Sequence, residues 1–184
     1  MNLEEGKRNI LIGGIEEHTP NYADIIRKGK NSSAKLGEGT TFFVLSNEKK
    51  NAVAAIDGVA FLYKPQSEKE VADKAKSFLK THNTSLENID LVMFGLSGDK
   101  DHDKYLSEML PLVKNSATAQ FKNLCGEYYT ANAFAIWTAN KIIENQKIPD
   151  AIKTNSVSKS NINSILIING YQGINYSFTL VTKC

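Results

Sequence analysis

Short apolar runs closed by glycine alternate along this chain with longer stretches whose apolar residues recur at helical spacing. The run from Asn9 to Gly14 is apolar and ends in two glycines, which predicts a buried strand feeding a tight turn. Residues from Asn21 to Gly29 are compatible with a short helix or a structured loop, and Lys30 to Gly39 reads as a loop. Thr41 to Leu45 and Val53 to Leu62 are β-rich runs flanking a polar Asn47–Asn51 cluster, a pattern expected of neighbouring strands. Ser67 followed by Glu70 is a capping box, after which Val71, Ala75, Phe78 and Leu79 keep helical spacing. Ile89 to Phe94 is another buried strand, ending at Gly95.

The second half repeats the alternation. Asp101 to Val113 predicts a helix with Tyr105, Leu106, Met109, Leu110 and Val113 on its apolar side. Ala117 to Phe121 is extended and leads into Lys122. Thr130 to Asn145 is a helix of small and apolar residues, expected to be central and buried nearly all round. Pro149 ends it, and Thr154 to Asn163 is a polar loop. Ser164 to Asn169 and Tyr176 to Val181 are strands joined by a two-glycine turn, Gly170 to Gly173. Strands alternating with helices predict a layered α/β fold with both sheet faces covered.

Composition narrows the function classes more than it selects one. The 184 residues are 41% apolar and 23% charged, enough for one sizeable core. A net charge of +2 with scattered lysines, and arginine only at Arg8 and Arg27, gives no basic stripe for nucleic acid. No apolar run is long enough to span a membrane, and the charged Glu4–Arg8 stretch is not a signal peptide. Two cysteines, Cys125 and Cys184, make neither a disulfide framework nor a metal site, which favours a reducing, cytoplasmic setting.

The segment from Lys122 to Glu127, opening the apolar run from Ala131 to Ile143, resembles the ketosynthase branch of the thiolase superfamily. There a lysine, three residues and Gly-His sit at the mouth of a buried helix; here Gly126 is kept and Glu127 replaces the histidine. Leu11 to Gly14 is similar to the strand and Gly-Gly turn after the nucleophile helix, and Gly37-Glu38-Gly39 to the next strand of that family. Ser85 to Gly98 with Asp103 resembles the strand and loop of the His-Gly-Thr motif, and Gly170 to Asn175 the Gly-Phe-Gly-Gly-x-Asn loop.

The resemblance implies a thiolase-like layered fold with a mixed sheet and a buried central helix. Residues 1–46 would be a remnant of the N-terminal half, with Met1 to Gly6 the last turn of the nucleophile helix, and residues 47–184 the C-terminal half. It implies an acyltransferase-type site: Lys122, Glu127 and Asp103 at catalytic positions, and Gly95, Ser97, Gly126, Tyr171 and Gly173 around the acyl group. No cofactor or metal is implied. The implied partners are acyl carrier protein or an acyl-thioester, and a ketosynthase-like chain in a homo- or hetero-oligomer; no nucleic acid or membrane is.

The departures decide what chemistry is left. The cysteine nucleophile lies in a segment this sequence lacks, Gly95 stands at the first histidine position and Glu127 at the second. Condensation needs a thiolate and hydrogen-bond donors for the enolate formed as a malonyl-thioester loses carbon dioxide. Glycine offers no side-chain donor, and an ionised carboxylate repels the enolate. Three functions follow: a ketosynthase-like protein of fatty-acid, polyketide or polyene synthesis that is inactive as this chain; a non-catalytic, chain-length-factor-like partner; or other acyl-group chemistry through Glu127.

Each residue also has a structural role to weigh. Cys125 has no histidine near it in sequence and reads as a small buried residue rather than a nucleophile. Glu127 and Lys122 form either an ion pair at a helix start or a tuned acid at an acyl site. Asp103 reads as a helix cap, His102 and His18 as solvated loop residues, and Gly170 to Gly173 as a turn.

Overall fold

The computed structural model describes residues 9–21 and 32–184. The expectations for Met1 to Gly6 and for nearly all of the 21–29 segment therefore lie outside the described residues. Five strands form the main sheet, in the order β3 (Ala54–Tyr63), β7 (Asn175–Lys183), β6 (Ser164–Tyr171), β4 (Leu91–Gly95) and β5 (Ala117–Gln120). β4 runs parallel to β5 and β6, while β7 is antiparallel to both its neighbours, so the sheet is mixed.

Both faces are covered at the central strand β6, which is why it reads as a continuous apolar run; on the edge strand β3, Val59, Phe61 and Tyr63 are exposed, so there the expected cover is incomplete. Ile165 and Ile167 point to one face, where they meet Ala135, Ala139, Ile142 and Ile143 of α4 (Ala131–Asn145). Leu166 and Ile168 point to the other, against Val71, Ala75, Phe78 and Leu79 of α1 (Glu68–Thr81) and Leu106 of α2 (Lys100–Ser107). The expected capping box starts α1: the Ser67 hydroxyl accepts the Glu70 N–H at 3.4 Å, and the Glu70 carboxylate reaches back to the Gln66 N–H at 3.1 Å.

Several expectations need correction. Thr41–Leu45 and Val53–Leu62 are strands but not neighbours. β2 (Gly39–Ser46) pairs with β1 (Asn9–Glu16) in a separate ribbon, while β3 pairs with β7 in the main sheet. The short polar cluster between them does not make a hairpin because α4 lies between, contacting β2 on one side and β6, β7 and β3 on the other. Nor is β1 a buried strand ending in a turn, since it continues through Gly13 and Gly14 to Glu16. Those glycines serve close approach: a Cβ at Gly13 would lie 2.3 Å from Phe42 Cδ1, and one at Gly14 would lie 2.7 Å from the Thr130 methyl.

The helix expected over 101–113 ends at Ser107, and Leu110 to Val113 is a 3-10 turn carrying Pro111, which has no N–H for a further helical bond. Leu110 is consequently turned out, while Met109 and Val113 remain buried. Helix α4 is central, as expected, but buried on one face only: Trp137 is 46% exposed and stacks on Phe134, and Lys141 and Glu144 face outward.

In the ribbon Leu11 pairs with Val44 and Gly13 with Phe42, so Leu11, Ile15, Phe42 and Val44 share one face. In the main sheet the Leu166–Leu180 face lies under α1 and α2. The Leu11–Val44 face of the ribbon is exposed instead: Leu11 is 69% exposed, Val44 61%, Ile15 69% and Phe42 49%. Both ribbon edges are unpaired among the described residues. A contiguous apolar face with open strand edges is a template for association. We expect the purified 184-residue chain either to self-associate in light scattering or to light up a hydrophobic dye, and Leu11→Lys with Val44→Lys to suppress both. A monomer that excludes the dye would show the face to be covered already.

Candidate functional site

The site grows from the end of β5. After Gln120 the chain turns through Phe121 and makes one helical turn, α3 (Lys122–Cys125), which ends at Gly126 with φ of 75°. That left-handed backbone suits glycine, and space demands it too: a Cβ on Gly126 would lie 2.7 Å from the Gly37 Cα. Glu127 is then fixed by its backbone, donating its N–H to the Lys35 carbonyl at 2.7 Å and accepting from the Gly37 N–H at 3.0 Å.

Lys122 and Glu127 form a buried ion pair. Their side chains are only 1% and 4% exposed, and Nζ lies 2.8 Å from Oε2. Nζ also donates to the Gly170 carbonyl of β6 at 2.7 Å. The second carboxylate oxygen, Oε1, is buried and has no hydrogen-bond partner among the described residues. Burial pushes the Glu127 carboxyl above its ordinary value; Lys122 offsets part of this, while the Asp103 and Glu16 carboxylates add to it. Of the two roles open from sequence, the ion pair is therefore present, and it leaves one oxygen unspent.

Glu127 is one wall of a narrow cleft whose other walls include His18, Ser32, Leu36, His102 and Tyr171. The expectation that His18 and His102 are solvated loop residues is corrected here. Both are partly buried and line the same cleft as Glu127, and His102 Nδ1 is covered and lacks a hydrogen-bond partner among the described residues. Tyr171 stacks on Tyr129 with ring centroids 4.5 Å apart and accepts a hydrogen bond from the Gln172 amide at 3.1 Å. Gly173, at φ of 66°, brings the turn between β6 and β7 against the His102 backbone.

Asp103, Ser97 and Gly95 form a second group at the end of β4. Asp103 is not the cap of α2: it accepts the Ser97 N–H and hydroxyl at 2.8 and 2.9 Å and the Gly98 N–H at 2.8 Å, so it clamps the loop instead. The cap is Asp99, whose Oδ1 accepts the N–H groups of Asp101 and His102. Its other oxygen holds Ser32 and Ser33. Desolvation pushes the Asp99 carboxyl up, but these donors outweigh it and hold the group well below the usual carboxylate range. A polar stretch before Tyr105 and Leu106 is the sequence signal that marks such a cap.

Gly95 is closed rather than open. A Cβ there would sit 2.2 Å from Asn169 Oδ1 and 3.0 Å from Phe121 Cζ, so any larger residue requires Asn169 to move. Glu16 was also missed from sequence: its Oε2 accepts the Thr130 N–H at 3.1 Å, at the start of α4. Burial pushes the Cys125 thiol up to about 11, which disfavours the thiolate that a nucleophile needs. Among the described residues no group of three or more His, Cys, Asp or Glu side chains is placed to hold a metal ion. Among the same residues no helix is long and apolar enough to cross a membrane.

With this arrangement known, solved structures supply the fold's relatives. The ishigamide ketosynthase/chain length factor superposes with a TM-score of 0.74 at 18% identity, over 96% of this chain and 54% of that one. The chain has the layered α/β fold of about half a ketosynthase. A beta-ketoacyl synthase from Burkholderia phymatum STM815 gives 0.72 at 13% identity, over 97% of this chain and 56% of that chain. A type II polyketide ketosynthase, solved in complex with its acyl-carrier protein and bound to the hexaketide, gives 0.62 at 14% identity, over 97% and 53%. No protein-family model and no curated protein matches the sequence.

Two predictions follow from the pair. Removing one partner of a buried ion pair strands the other charge, so Lys122→Met should cost about 3–5 kcal/mol, whereas Lys122→Met with Glu127→Leu should be near neutral or better. Urea unfolding of the single and double variants measures this; additive losses would mean that the charges are not coupled. The second concerns pH. Because the folded Glu127 carboxyl lies above its unfolded value, 4.5 in an ordinary carboxyl, it favours folding most when protonated. That contribution is complete below the unfolded value and is lost as pH rises through the folded one. The stability of the native chain relative to Glu127→Gln should therefore fall as pH rises above about 4.5 and then level off.

Proposed function

We propose that this chain is a ketosynthase-like protein of acyl-chain assembly that does not itself condense, and that it acts as a non-catalytic partner of the chain-length-factor kind. The observation that carries this is the Lys122–Glu127 pair. Where an enolate oxygen would need donors, the chain presents a buried carboxylate whose cation is already engaged by Oε2 and by the Gly170 carbonyl. Electrostatic stabilisation of a developing oxyanion requires donors aimed at it. Gly95 adds none, being packed against Asn169, and Cys125 is held protonated by burial.

The bare ribbon face supports a partner role. The Leu11, Ile15, Phe42 and Val44 side chains are exposed there, whereas the Leu166–Leu180 face of the main sheet is covered by α1 and α2. A companion polypeptide of ketosynthase type, bringing strands to the ribbon edges and helices to that face, would complete the layer. Acyl carrier protein is the proposed source of the acyl-thioester, consistent with a neighbour solved with its carrier. A second reading, acyl-group chemistry through Glu127, draws on the unspent Oε1 and the raised carboxyl.

Incubating the chain with malonyl-carrier protein and following carbon dioxide release separates the two. Background release supports the partner role; turnover at about 1 per second or faster, ordinary for an enzyme, would overturn it.

A further inference from the structure

The two edges of the main sheet end differently. Along β5 the chain supplies its own cover: the Gln120 N–H donates to the Ile152 carbonyl at 2.8 Å, and the Thr154 N–H to the Thr118 carbonyl at 2.9 Å. A short segment around Lys153 thus closes that edge. At the other edge, β3 has no strand beyond it among the described residues. Alternate residues of an edge strand turn their N–H and C=O groups outward, and such edges are ordinarily blunted by lysine, proline or a bulge. Here the guards stand only at the ends, a bulge between Ile56 and Gly58 and the Lys64–Pro65 pair. Gly58 to Tyr63 carries no charge at all.

A groove of about 370 Å³ lies beside this edge, between β3 and one stripe of α1 that runs from Lys74 to its cap, His82. A Cβ on Gly58 would lie 2.3 Å from His82 Nε2, so glycine lets the imidazole come up to the strand. The hydroxyls of the stripe spend their protons on the helix: Ser77 donates to the Lys74 carbonyl at 3.0 Å and Thr81 to the Phe78 carbonyl at 2.7 Å. The donors left on this wall are the Lys74 ammonium and the His82 imidazole, and Lys74 makes no salt bridge among the described residues. On the opposite face of β3, Val59, Phe61 and Tyr63 are exposed. A strand laid along β3 therefore meets two chemistries in alternation, a cationic groove under one set of its side chains and an apolar shelf beside the other. A second copy of β3 fits poorly. Two-fold pairing turns Lys74 toward its own counterpart and offers it only Ala60 and Leu62, the β3 side chains that face α1.

We propose that the β3 edge docks an extended peptide of another protein, one in which acidic side chains alternate with apolar ones, and that the peptide joins the sheet as a further strand. Fluorescence anisotropy of the 184-residue chain with labelled heptapeptides tests it. One peptide alternates valine with glutamate, a second alternates valine with lysine, and a third is the glutamate peptide N-methylated throughout. The glutamate peptide should bind about tenfold or more tighter than the lysine peptide, and added salt should narrow that gap. The N-methylated peptide, which cannot donate to the edge, should not bind. Lys74→Glu, a charge reversal on a partly exposed helix residue, should invert the order of the first two. Photo-crosslinking from a benzoylphenylalanine in place of one valine, mapped by mass spectrometry, should mark β3 or α1. Equal affinities, crosslinks to the β1–β2 ribbon, binding of the N-methylated peptide, or no binding up to about 1 mM each overturns the proposal. A dimer in sedimentation velocity that Phe61→Lys splits and the glutamate peptide does not would give the edge to a second copy, and also overturns it. If Lys74→Glu does not fold, the peptide order and its salt dependence on the native chain decide.

Discussion

A lysine ammonium taken out of water has to be compensated where it sits, and much of this site follows from compensating one. Lys122 lies at the end of the sheet with its charge covered on every side. Isolated, such a charge would be prohibitive; with a carboxylate at 2.8 Å and a carbonyl at 2.7 Å it is tolerated. The two partners come from different places. Glu127 is five residues on and is presented by the sharp reversal at Gly126, while Gly170 belongs to the end of β6. One ammonium thus ties the α3 turn to the centre of the main sheet, and the backbone pairing of Glu127 with Lys35 and Gly37 carries the tie across to the loop before β2.

The glycines around it are consequences of that crowding. A methyl group on Gly37 would sit 1.9 Å from the Cys125 carbonyl oxygen, and Gly126 has Gly37 backbone where its own side chain would be. Two chain segments cross here at backbone contact, so the loop before β2 cannot drift away from Glu127. Asp99 holds the same loop from the other end through Ser32 and Ser33. The cleft is therefore walled by a segment pinned at two points, although its lining comes from five separate parts of the chain.

What the sequence made legible was local. The helical spacing of Val71, Ala75, Phe78 and Leu79, the Ser67–Glu70 box and the apolar run of β6 all depend on near neighbours, and they appear as expected. Lys122 and Glu127 were readable as a pair because they straddle one helical turn and its glycine. Residues whose roles depend on distant contacts were not. His18 and His102 sit in polar sequence that says nothing about where the loops land, and the structure brings both to Glu127. The tight fit of Gly95 comes from the β4–β6 register, which sets it opposite Asn169. Glu16 reaches Thr130 only because β1 runs straight through two glycines that resemble a turn.

The order of strands in the main sheet also governs how the chain can be made. β7, the seventh strand in sequence, is second in space, between β3 and β6. Ala54 pairs with Lys183 and Tyr63 with Asn175, so β3 has no strand beside it until the far end of the chain arrives. Until β7 has formed, β3 is an unpaired strand and the Leu166–Phe178 part of the core is missing. Loop-closure entropy is charged before that pairing rewards it, which makes such non-local strands slow to fold and exposed to misassociation. The open edge of β3 in the partly folded chain, rather than any surface of the finished molecule, is then where misassociation would start.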